Sequence, residues 1–173
     1  MKSTGYAIAV ALLTVSSQAV AAWKYSVQTD PVTKDTTHFA YTVSLSEIAP
    51  SGRPVFMLRC EGSSLKALIN WRSYVGGRVG EPLLLQVDKG KVMHMQLVPS
   101  ADGAGTFLRD HADDSGNYTL RELLDQMRRG ERVLAKVSEV RDFQRDKFTA
   151  TFSLAGSDRA IREVMAKCDV GPN

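Results

Sequence analysis

Two widely separated cysteines, Cys60 and Cys168, most narrow the folds open to this chain. Cys60 closes the run Pro54-Val-Phe-Met-Leu-Arg-Cys60, in which Phe56, Leu58 and Cys60 fall on one face of a strand. Cys168 closes a segment in which Ile161, Val164, Met165 and Cys168 recur at helical spacing on one face. Both cysteines therefore point toward a core. A Cys60–Cys168 bond lays the last helix back over a sheet and ties it there. In the chain-entropy model a loop this long corresponds to about 4–5 kcal/mol. Two buried free thiols are the alternative. A metal pair is disfavoured, because no further cysteine or histidine lies near either position in sequence.

The choice between thiols and a bond turns on compartment, and the start of the chain speaks to it. Residues 1–22 have the form of a secretory signal peptide: Lys2, then an apolar run from Ala7 to Val15, then small residues at 19–22. The run is too short for a permanent membrane anchor. No cysteine lies near the cleavage region, so a lipid-modified terminus is not expected, and no second apolar run is long enough for a membrane span. The expected product starts at Ala22 or Trp23 and is periplasmic. In that oxidising compartment the two cysteines most simply form one disulfide.

The stretch from Arg132 to Cys168 shows how the rest is patterned. Val133, Ala135 and Val137 alternate with polar residues as in a half-buried strand. Phe148, Ala150, Phe152 and Leu154 share one face of a second strand, with residues 140–146 as a charged turn between the two. Gly156 breaks that strand, Ser157 is the expected N-cap of the last helix, and Asp158 sits in its first turn. Upstream, strands are expected at 23–28, 36–45, 55–60, 65–71, 83–87 and 91–98, with a short one at 106–108. In the strand at 36–45, Thr37, Phe39, Tyr41, Val43 and Leu45 share a face. Thr119 and Glu122 form a capping-box pattern opening a helix whose apolar face is Leu120, Leu123, Leu124 and Met127, and Gly130 ends it. The expected fold is α+β and mainly β. It is a β-sandwich-like single domain over 23–173 with two short helices, the C-terminal one tied to the sheet by the disulfide.

Charge and motifs exclude more than they assign. Net charge is +3, too balanced for a nucleic-acid binder. Arg128, Arg129 and Arg132 suit a solvated helix end. Residues 111–122 approach a calcium loop, with Asp113, Ser115, Gly116 and Glu122 at matching positions. His111 stands where an aspartate is needed, however, and an acidic helix-entry loop accounts for the same residues. His38, His94 and His111 have no metal-pair spacing. No G-x-S-x-G, H-E-x-x-H or phosphate-cradling loop is present, so no catalytic, metal or cofactor residues are expected. Trp23, Trp71 and Tyr74 suit a binding surface or the core equally.

One further pattern carries a resemblance. Trp23 follows the export signal at once. An Asp-Pro-x-Thr-x-Asp turn comes next (Asp30, Pro31, Thr33, Asp35), then a strand ending Leu58-Arg59-Cys60. A late Phe-x-x-x-Phe-x-Leu-x-Gly strand (Phe148, Phe152, Leu154, Gly156) and a helix ending in Cys168 close the chain. This resembles the VasI/TagO-like family of small exported proteins associated with bacterial type VI secretion. The resemblance implies a non-enzymatic accessory or regulatory role in an envelope system, with a protein partner and no cofactor. The alternative is an inhibitor or immunity protein that blocks a cell-wall hydrolase.

Overall fold

The computed structural model describes residues 22–47, 52–75, 82–109, 119–137 and 148–168. The expected signal peptide apart from Ala22, the charged turn at 140–146 and most of the calcium-like loop lie outside them. These residues form nine strands and two helices: β1 Lys24–Thr29, β2 Thr36–Val43, β3 Val55–Glu61, β4 Ser64–Asn70, β5 Pro82–Val87, β6 Met93–Pro99, β7 Gly105–Arg109, α1 Leu120–Met127, β8 Arg132–Val137, β9 Thr149–Ser153 and α2 Ser157–Lys167.

All nine strands belong to one antiparallel sheet, in the order β1-β2-β3-β4-β7-β6-β5-β8-β9. The sheet curls until its last strand returns to its second. Ser44, just past β2, bridges to Phe152 on β9, and the Leu45 N–H donates to the Thr151 carbonyl at 2.7 Å. β1 and β9 thus lie end to end along one side of β2, and the Trp23 N–H donates to the Ala155 carbonyl at 2.9 Å where they meet. The two layers of the sandwich are therefore halves of a single sheet. Across the core between them, Phe56 meets Phe152 at 5.6 Å between ring centroids and Trp71 meets Phe148 at 6.0 Å.

Each helix buries one apolar face and leaves the other to solvent. α1 buries Leu123, Leu124 and Met127. α2 buries Ala160, Ile161, Val164 and Met165, and packs on the inner face of β1, β2 and β3. Cys168 at its end is bonded to Cys60 on β3, with the Cα atoms 5.5 Å apart. The capping box of α1 forms as expected: the Glu122 N–H donates to Thr119 Oγ1, and the Thr119 N–H to the Glu122 carboxylate. The start of α2 differs from expectation. Gly156, at φ 76°, is the N-cap, and Ser157 is the first helical residue. The Ser157 hydroxyl donates instead to the Met127 carbonyl at 2.8 Å, which joins the two helices. The left-handed backbone at 156 favours glycine, and this lets the chain turn from strand to helix without a side-chain cap.

Candidate binding surface

Toward the end of β2 the side chains are sorted by size. Ala40, Thr42 and Ser44 turn inward and are buried, whereas Phe39, Tyr41 and Val43 turn outward and are half-buried. A pattern of strand hydrophobicity alone favours the opposite orientation. Ala40 lies on the face that α2 covers, and the aromatic face is left outside.

On that outer face the register assembles a continuous rib. Tyr41 pairs with Met57, Met57 with Leu68, Leu68 with Phe107 and Phe107 with Val98. Five neighbouring strands thus contribute one half-buried apolar residue each, on the side where an antiparallel sheet with a single core is ordinarily polar. Lys24 stands opposite Tyr41 at one end.

A row of cations runs beside the rib. Arg59 pairs in register with Lys66, and Arg109 follows Leu108, the partner of Ala67 next to Lys66. The Arg59 guanidinium lies 6.0 Å from the Phe107 ring centroid and 2.6 Å from a Glu61 carboxylate oxygen. Lys66 is ion-paired with the other Glu61 oxygen. The hydrogen bond from Lys66 holds the Glu61 carboxyl below the usual range, partial burial opposes, and the charge on Arg59 adds to the lowering. Arg109 is exposed and has no carboxylate partner among the described residues. Among the described residues, three cations therefore share one acid. Each end of the rib has a hollow. One of about 510 Å³ includes Lys66, Val98, Phe107 and Arg109. Another of about 300 Å³ includes Phe39, Tyr41, Met57 and Arg72.

The residues singled out from sequence mostly have structural roles. Cys60 and Cys168 form the expected bond. Trp71 has no exposed surface, and its indole N–H donates to Thr106 Oγ1 at 3.0 Å. Trp23 is buried edge-on against Phe56. Tyr74 is exposed. His38, on the inner face next to Cys60, shares a 2.7 Å hydrogen bond with the Tyr25 hydroxyl. Burial, and then the Glu163 charge, push that phenol above its ordinary pKa. His94 is exposed on β6. Arg128 is not merely a solvated helix end: it bridges Asp125 at 3.2 Å and Asp158 at 2.9 Å, joining α1 to α2. His111, Asp113, Ser115 and Gly116 lie outside the described residues, and Glu122 serves the capping box. No group of three or more metal-ligating side chains occurs among the described residues. None of their helices is long and apolar enough to cross a membrane.

The rib was missed from sequence because its members come from five strands whose pairing leaves no local trace. The available signal was the size asymmetry of β2. In comparisons with family models, curated proteins and solved structures, nothing matches the chain.

Proposed function

We propose that this is an exported, protein-binding accessory component of a bacterial envelope system, and that it docks its partner on the outer face of β2, β3, β4, β7 and β6. The observation that carries the reading is the apolar rib from Tyr41 to Val98 on the solvent side of the sheet. Contiguous apolar surface rimmed by polar residues marks interaction sites. The envelope assignment rests on the export-signal pattern of residues 1–22 and on the motifs that carry the resemblance to VasI/TagO-like proteins. Two of those motifs have visible roles. Asp30 accepts hydrogen bonds from the Val32 and Thr33 N–H groups and so shapes the β1–β2 turn. The Leu58-Arg59-Cys60 run sends Leu58 and Cys60 inward and Arg59 into the cation row.

The test is affinity capture of the tagged protein from mildly cross-linked cells, with wild type beside Leu68→Asp. Leu68 points away from the core, so the variant is expected to fold. Recovery of type VI secretion or membrane-complex subunits by wild type alone supports the reading. Recovery of one cell-wall hydrolase moves the assignment to the inhibitor class. Equal recovery by both proteins removes the rib from the function.

A further inference from the structure

Resting on that reading, we infer that the partner presents an acidic amphipathic helix, laid across the strands along the rib. The dimensions point to it. From Tyr41 on β2 to Val98 on β6 the rib crosses four inter-strand steps of about 4.8 Å, or about 19 Å in all. A helix of that length has about 13 residues. Its side chains at i, i+4 and i+7 recur along one face roughly every 5–6 Å, close to the spacing of the strands beneath. Apolar residues at that spacing meet Met57, Leu68 and Phe107 in turn, and the hollows at the two ends accept the outermost ones.

Charge decides the flank. Arg59, Lys66 and Arg109 stand on the successive strands β3, β4 and β7, on one side of the rib. Glu61 engages the first two and nothing among the described residues engages the third. Carboxylates along one side of the docked helix complement this row of cations. A strand is a poor occupant because it adds at a sheet edge, whereas this is a face. The inner face of the same sheet already receives a helix, α2, tied over β3. An anionic membrane is the competing occupant that the vesicle probe tests.

The experiment uses the purified protein and two synthetic helical peptides of about 13 residues. Both carry leucines along one stripe. One has glutamates beside them and the other has lysines. Vesicles of phosphatidylglycerol and phosphatidylcholine are the third probe. Fluorescence anisotropy is read at about 50 and about 300 mM salt. The glutamate peptide is expected to bind at least about tenfold more tightly at low salt, with the gap narrowing at high salt. Combined Arg59→Glu, Lys66→Glu and Arg109→Glu is expected to reverse the preference, and Leu68→Asp to abolish binding of both peptides. Circular dichroism checks that each variant is folded. Equal affinity for the two peptides, binding of neither, or preference for vesicles overturns the inference. Its failure is separable from that of the proposed function: partner capture lost in Leu68→Asp but kept in the triple reversal leaves a protein-binding rib and removes the acidic helix.

Discussion

Ala40 has no exposed surface while its neighbour Tyr41 is half-buried on the opposite side of β2, and the two positions make different demands. Ala40 lies under α2, so Ala40→Leu is expected to destabilise by about 1–3 kcal/mol through overpacking. Tyr41→Thr, on the outer face, is expected to cost about 1 kcal/mol or less while weakening partner binding. Urea denaturation of the two variants, with capture run in parallel, checks both outcomes. At Asp158 a second residue-scale effect arises. Hydrogen bonds from the Arg162 and Arg128 guanidinium groups hold its carboxyl below the usual carboxylate range. Its folded pKa is thus lower than its unfolded one, and the unfolded chain takes up the proton first as pH falls. The stabilisation is fully present above the ordinary value of about 3.9 and is lost as pH drops through the depressed one. Asp158→Asn is expected to lower Tm at neutral pH, with the gap to wild type closing under acid. Thermal melts across that range read it out.

The elements were largely legible in the sequence because alternation and helical spacing are local. Val133, Ala135 and Val137 are buried as their alternation implies, and so are Ile161, Val164 and Met165 on α2. The capping pair Thr119 and Glu122 also acts as written. What stayed hidden was contextual. β7 read as a marginal short strand, yet it is a central member of the sheet between β4 and β6. Its place depends on register with partners distant in sequence, and Thr106 is buried there to receive the Trp71 indole. Ser157 read as an N-cap, but the nearby Met127 carbonyl offered its hydroxyl a better acceptor. The rib was invisible for the same reason as the place of β7. Among elements, α2 depends most on a covalent tie. Combined Cys60→Ser and Cys168→Ser is expected to lower unfolding stability by about 4–5 kcal/mol in the chain-entropy model. Loss of α2 protection in hydrogen exchange, earlier than that of β5 and β8, would accompany it.

The whole molecule is defined by closure. Phe152 bridges Ser44 and packs its ring on Phe56, so it belongs to both halves of the sheet. Phe152→Ala is expected to cost about 3–5 kcal/mol, because the cavity opens where the two layers meet. Calorimetry measures the loss, and a single cooperative transition is expected to survive. Placed in time, the same closure sets an order of events. The chain is made from its N-terminus, so β1 to β4 emerge while residue 152 is still to come, and the side of the β2 end that faces β9 waits with its hydrogen bonds unmade. Cys60 waits as well, an unpaired thiol for the 108 residues that separate it from Cys168. Such long-range pairing folds slowly, in milliseconds to seconds for sheet proteins. The interval before the C-terminus arrives is thus the period in which the chain is most open to wrong partners, and the last residues of the fold bring it to an end.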